Sequence, residues 1–195
     1  MTRAVGMTFA KISSLSVFKL LLMNCSNPET VTVNDSVHGL GIFSAVNLSK
    51  GDFILKIKGT PINFSQTLHL GTHECYCLQL AKNKYIIPQY PFYLSNHSCN
   101  PNCGINKELE LFALKDISAG EELYWDYSTS MLERHWVMNC NCGEENCRKI
   151  IQDFDLLPSY IMDKYIRLGI VMPFIVEYLS GLGTKSHLNS KNYIS

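Results

Sequence analysis

Two stretches of the sequence decide the fold: SNHSCNPN at residues 95–102 and EELYWDY at residues 121–127. In the first, a run of side chains that hydrogen-bond to backbone groups predicts an irregular but well-fixed loop. The second predicts a strand over residues 123–127, because aromatic side chains follow the turn residues Ser118 and Gly120. A third stretch, HGLGIF at residues 38–43, predicts a turn into a strand, and its glycines let the backbone approach a ligand closely.

The surrounding residues, 29–135, are typical of short strands that alternate with turns. Gly, Asn and Pro interrupt the β-like runs, and helical periods are few. The predicted strands are residues 31–33, 41–46, 53–57, 74–80, 84–87, 109–113 and 123–127. We therefore expect a mainly β domain.

The pattern becomes helical after residue 153. Apolar residues at helical spacing form a stripe from Leu157 to Leu168, which Gly169 ends. Pro173 opens a second short helix that we expect to end at Gly181. We expect four parts: an N-terminal extension (1–28), the β domain (29–135), a cysteine-rich segment (136–153), and a helical extension and tail (154–195) that packs on the β domain.

The composition argues against two classes of protein. Of 195 residues, 46% are hydrophobic and 17% are charged, which suits one globular domain with a sizeable core. Seventeen basic residues balance seventeen acidic ones, so we expect no direct nucleic-acid binding through phosphates. No apolar run approaches the ~20 residues that span a bilayer, so we expect no membrane insertion. We expect a monomer.

Three of the eight cysteines crowd into CNCGEENC at residues 140–147. Cys140 and Cys142 are separated by one residue, a spacing that suits a turn around a metal better than a disulfide between them. A metal site favours a reducing, intracellular setting. The alternative is a secreted protein with four disulfides, which would have no free thiols and no bound metal.

Taken together and in this order, the motifs resemble the SET-domain family of protein-lysine methyltransferases. The resemblance covers about residues 30–150: the HGLGIF stretch is similar to the opening strand, NHSC with Pro101 and Asn102 to the central motif, and ELYWDY to the catalytic motif. The cysteine-rich segment is similar to the post-SET zinc segment. The resemblance implies a β-clip-like SET fold at residues 29–135, followed by a post-SET segment at residues 136–153. In this fold the central motif threads a loop closed by the catalytic motif, and this pseudoknot forms the active site.

The resemblance implies S-adenosyl-L-methionine as the cofactor. Asn96 and His97 would lie against its adenosine moiety, and the backbone of the glycine-flanked turn would meet its methionine end. The implied cofactor-binding residues are Gly39, Leu40, Gly41, Tyr76, Asn96 and His97. Tyr93 stands where the family commonly has an arginine, so one cofactor contact is missing or replaced.

The resemblance also implies that Tyr127 is catalytic. The nucleophile is a neutral lysine amine, although free lysine has a pKa near ~10.4, and a narrow apolar channel favours the neutral form by desolvation. The Tyr127 hydroxyl would orient the amine and stabilise the polarised methyl group. Trp125 stands at the channel position where the family usually has Phe or Tyr. If its ring faces the channel, we expect mono- or dimethylation; if it is turned into the core, nothing follows about the product.

The post-SET resemblance implies one structural zinc ion. A closed zinc site needs four ligands, and the cysteine-rich segment supplies Cys140, Cys142 and Cys147. In the family, the fourth is the cysteine of the central motif, here Cys99. Cys103 is the alternative fourth ligand and is otherwise a buried thiol. The metal would tie the tail to the active-site loop.

The leading hypothesis is therefore methyl transfer to the side-chain amine of lysine in a protein substrate, with a histone tail among the candidates. Residues 107–126 carry six carboxylates against two lysines, and they either attract a basic peptide or form solvated turns. The alternative function is a catalytically inactive, zinc-stabilised SET-fold module that binds peptides or partners. We expect an intracellular location: nucleus or cytoplasm in a eukaryote, or a host cell if a bacterial or viral protein is exported.

Overall fold

Short strands come first in the chain and the two longer helices come last. The computed structural model describes residues 29–189, with side chains to residue 182, so the predicted extension at residues 1–28 lies outside the described residues. The strands are β1 (Val31–Ser36), β2 (Gly39–Ser44), β3 (Phe53–Lys56), β4 (Gly59–Ile62), β5 (Leu78–Ala81), β6 (Lys84–Pro88), β7 (Asn96–His97), β8 (Cys103–Ile105), β9 (Glu110–Ala113), β10 (Tyr124–Trp125), β11 (Met138–Asn139) and β12 (Ile150–Ile151). The α-helices are α1 (Phe64–Thr67), α2 (Ser159–Arg167) and α3 (Pro173–Asn189), and the 3-10 helices are Gly71–Tyr76, Phe92–Leu94, Tyr127–Ser130 and Phe154–Leu156.

The strands of the described residues form several small sheets. β1 pairs with β2, β9 lies between β3 and β8, and β6 lies between β4 and β5, all antiparallel. β11 pairs with β12 and closes the cysteine-rich segment into a loop. The prediction of a mainly β fold with C-terminal helices is confirmed.

The two stretches that decide the fold lie side by side. β7 and β10 form a parallel pair, with Asn96 opposite Tyr124 and His97 opposite Trp125. The amide of Ser98 donates to the carbonyl oxygen of Trp125 at 3.2 Å. The central and catalytic motifs are therefore adjacent in space, as the expected pseudoknot requires.

The first half of one predicted strand, residues 74–80, is part of a 3-10 helix. Residues 71–76 are helical, and the strand that follows, β5, begins only at residue 78. Long-range contacts hold the turn, because Glu74 accepts a hydrogen bond from the Thr67 hydroxyl at 3.2 Å and pairs with His135 at 3.0 Å. The strand predicted for Cys75 and Cys77 is therefore wrong, since tertiary contacts outweigh local strand propensity here.

The second C-terminal helix is longer than predicted. Gly169 follows α2 with a left-handed φ of +69°, which ends that helix as expected. Gly181 keeps a helical backbone, and α3 continues to Asn189. A glycine inside a helix costs about 1 kcal/mol relative to alanine, which is too little to end a helix that packs elsewhere along its length.

The C-terminal helices share one buried core with the strands. Ile161 and Tyr165 of α2 and Ile175 of α3 are at most 7% exposed and belong to the same cluster as Leu111 of β9. The helical extension is therefore part of the folded unit that carries the site. Within residues 29–189, none of the helices combines the length and apolar character needed to cross a membrane.

Candidate active site

A carboxylate at the start of the catalytic motif fixes the glycine-flanked turn. The side-chain nitrogen Nδ2 of Asn96 donates to the Leu40 carbonyl at 3.1 Å and to Glu122 Oε1 at 2.7 Å. Glu122 Oε2 accepts hydrogen bonds from Ser36 at 2.8 Å and from the Tyr124 hydroxyl at 2.5 Å. Since the amide protons of Asn96 are used inside the protein, its side-chain oxygen is left to accept a hydrogen bond from a ligand.

Gly41 is required by this close approach, and Gly41→Ala should destabilise the protein. A Cβ at this position would lie 2.3 Å from Glu122 Oε1 and 3.1 Å from the Asn96 amide nitrogen. The carboxylate would have to move, which we expect to cost about 1–3 kcal/mol in the free energy of unfolding measured by urea titration.

Gly181→Ala is the matched control for that substitution. A Cβ at Gly181 meets no atom within 4 Å, and the residue lies in α3, so we expect the protein to gain up to about 1 kcal/mol. A Gly41→Ala protein as stable as the wild type would show that Glu122 is not held against the turn.

His97 connects the catalytic motif to the cysteine cluster. Its Nδ1 accepts the backbone N–H of Tyr127 at 3.2 Å, and its Nε2 lies 3.4 Å from Cys99 Sγ. Burial lowers the pKa of His97 to about 4, against the attraction of Asp126 for the charged ring. The ring is therefore neutral at physiological pH, and because Nδ1 accepts, the proton lies on Nε2 and points at the sulfur.

The Tyr127 hydroxyl is anchored to the backbone of the central motif. It donates to the Ser95 carbonyl oxygen at 2.7 Å, and the ring lies 4.9 Å from the Trp125 ring, centroid to centroid. Burial is the main cause that raises the pKa of Tyr127 above its ordinary value. The hydroxyl therefore stays protonated near neutral pH and acts as a hydrogen-bond donor rather than as a base.

Tyr127 stands on the partition between two cavities. The wider cavity, of about 550 Å³, is lined by the predicted cofactor residues Gly39, Leu40, Tyr76, Asn96 and His97. The narrower one, of about 60 Å³, is lined by Trp125, Phe92 and other apolar side chains. Six residues line both: Cys75, Tyr76, Tyr93, Ser95, Tyr127 and Trp136. A hydroxyl on such a partition can contact two ligands that enter from opposite sides.

The narrow cavity is walled by the indole of Trp125. This side chain is 7% exposed, and its Nε1 donates to the Ser95 hydroxyl at 2.9 Å, so the ring orientation is fixed. Glu74, Glu133 and His135 line the same cavity. Burial raises the pKa of Glu133 to about 7, which keeps much of this carboxyl neutral at physiological pH. The narrow cavity is thus mainly apolar, and only a few ionisable side chains line it.

Tyr76 and Tyr93 pack together beside the site. Their rings make an edge-to-face contact at 5.7 Å between centroids, and both line the two cavities. Tyr93 therefore places an aromatic ring at the position for which the resemblance implies an arginine.

Four cysteines form a cluster that can hold a metal ion. The Sγ atoms of Cys99, Cys140, Cys142 and Cys147 all lie within 4.8 Å of one another. Cys99 and Cys140 are 3.7 Å apart, Sγ to Sγ. Tetrahedral zinc with Zn–S bonds of ~2.3 Å would set neighbouring sulfurs about 3.8 Å apart, so the cluster fits such an ion.

The thiols of the cluster differ in their pKa. Burial raises the pKa of Cys99 to about 11, whereas a backbone hydrogen bond from Lys149 is the main cause that lowers the pKa of Cys147 to about 7. If all four cysteines were metal ligands, they would be thiolates, and the metal would supply the positive charge that buried thiolates need. All seven described cysteines are free thiols, which contradicts the four-disulfide alternative; Cys25 lies outside the described residues.

Cys103 is not part of this cluster. It is fully buried in β8, within the main core, and burial raises the pKa of its thiol. Of the two candidates for a fourth ligand, only Cys99 lies beside the three late cysteines in the described structure.

The carboxylates of residues 107–126 are engaged in local contacts. Glu110 pairs with Lys56, and Asp116 and Glu121 accept backbone N–H groups of nearby turns. Asp116 and Glu121 therefore stabilise turns, and attraction of a basic peptide by this acidic stretch stays a prediction.

Sequence reasoning gave no role to four residues of the site: Glu122, Trp136, Arg148 and Tyr165. Arg148 pairs with the buried Asp126 of the catalytic motif, and Tyr165 donates to the same carboxylate. The only signal was that Arg148 directly follows the last cysteine of the cluster. The sequence indicated only that Tyr165 belongs to an apolar helical stripe, because its partner Asp126 is 39 residues away in sequence.

This chain is similar to a known family of domains and to known proteins. The SET domain family model matches residues 39–128. The chain is 32% identical over 127 residues to histone-lysine N-methyltransferase ASHR3 of Arabidopsis thaliana, covering 56% of this chain and 25% of that protein. It is 32% identical over 129 residues to histone-lysine N-methyltransferase ash1 of Drosophila melanogaster, covering 58% of this chain and 6% of that one.

Among solved structures, the chain resembles ctPRC2 in an autoinhibited conformation bound to S-adenosylmethionine. The TM-score is 0.47 at 22% identity, over 53% of this chain and 16% of that chain. This chain spans a quarter or less of the length of these relatives. The matched residues 39–128 contain the glycine-flanked turn, the central motif and the catalytic motif, so the chain contains a SET domain at these residues.

Proposed function

We propose that this chain transfers a methyl group from S-adenosylmethionine to the side-chain amine of lysine in a protein substrate. The observation that carries the proposal is that Tyr127 and Ser95, which its hydroxyl contacts, both line the wide and the narrow cavity. The wide cavity would take the cofactor and the narrow cavity the lysine side chain. The two reactants would then meet at Tyr127 from opposite sides, as an in-line displacement requires.

The wide cavity has groups that suit the cofactor. The Asn96 side-chain oxygen can accept from an ammonium group, and the backbone of Gly39 and Leu40 lines the wall. Because both ring nitrogens of His97 face protein groups, this residue would contact the adenosine through its ring edge and its backbone. Tyr76 would add an aromatic wall. When bound, the cofactor supplies an electrophilic methyl group.

The narrow cavity suits a neutral lysine amine. Its apolar walls favour the uncharged form of the amine by desolvation. Tyr127 and the Ser95 carbonyl would hold the amine in line with the methyl carbon, while a nitrogen–carbon bond forms and the carbon–sulfur bond breaks. The proton of the product amine leaves to solvent.

We propose that the metal is zinc and that its role is structural. Four thiolates leave no open coordination position, which is typical of structural rather than catalytic zinc. The ion would join Cys99 of the central motif to the late cysteines and so keep Met138 to Cys142 as a wall of the wide cavity.

We propose a histone as the substrate and the nucleus as the location. The support is that the relatives ASHR3 and ash1 carry the name histone-lysine N-methyltransferase.

The proposed function is tested by transfer of isotopically labelled methyl from S-adenosylmethionine to core histones, read by mass spectrometry for site and degree. We expect labelled methyl-lysine with the wild type and at least about 100-fold slower labelling with Tyr127→Phe. A protein that binds the cofactor and a histone peptide but transfers no methyl to any of the histones would instead be the inactive peptide-binding module.

Trp125 is expected to limit the degree of methylation. Its fixed indole narrows the cavity, so we expect mono- or dimethyl-lysine as the end product of the wild type. Trp125→Phe removes about one ring of volume and should shift the product by one methyl group, as read by mass spectra of peptide at complete conversion. Trimethyl-lysine as the main product of the wild type would contradict this role.

A further inference from the structure

The carboxylate of Asp126 is the most completely buried charged group beside the site. Asp126 is 1% exposed, directly precedes Tyr127 and caps the 3-10 helix Tyr127–Ser130. One of its oxygens accepts the backbone N–H of Ser128 at 3.1 Å. The direction of this carboxylate therefore sets where the helix begins, and with it the backbone from which the Tyr127 side chain projects.

Two side chains from beyond the catalytic motif hold this carboxylate. Arg148 Nη2 donates to Oδ1 at 2.8 Å, and Nη1 lies 2.8 Å from Oδ2 as an ion pair. The Tyr165 hydroxyl donates to Oδ2 at 3.0 Å and also lies 3.4 Å from the carbonyl oxygen of Cys99. A buried carboxylate needs such partners, since one without them would pay the full cost of desolvation.

Tyr165 lies outside the part of the chain that matches the SET domain. It belongs to α2, whereas the match ends at residue 128. The segment after its helix is anchored to the catalytic region, because the amide of Met172 donates at 2.9 Å to the carbonyl of Thr129, two residues after Tyr127. Gly104 leaves room for Ile170 of the same segment, since a Cβ there would lie 2.2 Å from Ile170 Cγ2. The hydroxyl is thus held at a defined place.

We propose that Tyr165 is a positioning residue for Tyr127, which it orients through Asp126. The helical extension then contributes to catalysis and does not only pack on the β domain. Removal of the hydroxyl leaves one lone pair of the carboxylate unsatisfied, so the carboxylate turns toward Arg148 and its bond to Ser128 weakens. The Tyr127 hydroxyl then loses its alignment between the two cavities. This inference rests on the proposed methyl transfer.

The test is Tyr165→Phe, compared with Tyr160→Phe on the same helix. Tyr160 is 69% exposed, so its hydroxyl has no part in the site and the control should match the wild type. For Tyr165→Phe we expect kcat to fall about tenfold, because a hydrogen bond to a charged group is lost, with KM for the peptide changed less than threefold. Assays are run at least 10 °C below the thermal midpoint of each variant, so that all the protein is folded.

Absorption of the cobalt-substituted protein monitors the cysteine cluster, which should be the same in the two variants and the wild type. If Tyr165→Phe lowers the thermal midpoint but keeps the wild-type kcat, Tyr165 has a purely structural role and the inference is wrong. It is also wrong if the cobalt spectrum changes together with kcat, since the effect would then pass through the metal. If the wild type transfers no methyl group, the proposed function itself is wrong. If the wild type is active and Tyr165→Phe is equally active, only the inference about Tyr165 is wrong.

Discussion

Tyr127→Phe is expected to lower kcat by about 10²–10³-fold while the affinity for S-adenosylmethionine changes less than threefold. The substitution removes one oxygen, which donates to the Ser95 carbonyl and stands where the two cavities meet. The phenyl ring keeps its contacts with Trp125 and His97, so the fold and the wide cavity should be retained. The loss should therefore fall on the chemical step, measured in single-turnover methyl transfer with cofactor affinity from calorimetry.

Tyr178→Phe is the control for this experiment. Tyr178 is 45% exposed on α3 and lines neither cavity, so its variant should have wild-type kcat. Activity of Tyr127→Phe within threefold of the wild type would show that the hydroxyl is not used in the reaction, even if the protein is a methyltransferase.

Removal of the metal is expected to abolish activity and to lower the thermal midpoint by about 10 °C or more. The cysteine cluster packs only a small satellite core, which includes Met131 and Ile151. Without a metal, no ion coordinates the four thiols. The segment that carries β11 and β12 is then no longer linked to Cys99 through the metal. Chelator titration followed by differential scanning calorimetry and methyl-transfer assay measures both effects.

Substitution of single cysteines separates the cluster from other thiols. Cys147→Ser should lose the metal, as read by native mass spectrometry, and reproduce the effect of the chelator. Cys103→Ala should keep one metal ion, because Cys103 lies in the main core and not in the cluster. A wild-type protein that binds no zinc, or one whose zinc survives Cys147→Ser, would contradict the proposed structural site.

The sequence alone predicted the SET domain, and its motifs predicted the chemical groups of the candidate site. The motifs around Asn96, Tyr127 and the late cysteines can each be recognised from residues that are close together in sequence. This is because side chains that bond to the backbone, and thiols that bind one metal, commonly come from neighbouring positions. Composition and strand-like runs likewise predicted a mainly β fold. These features depend on neighbours in sequence, and they can be read without coordinates.

Only the tertiary structure decided how these groups meet. Contacts of Glu74 with Thr67 and His135 turned a strand-like stretch into a 3-10 helix, and packing carried α3 past Gly181. The hydrogen bond from Tyr165 to Asp126 joins residues 39 apart, and nothing local to either residue indicates it. Long-range contacts of this kind arise when the whole chain closes around one core, so the sequence provides the reactive groups and the fold decides their partners.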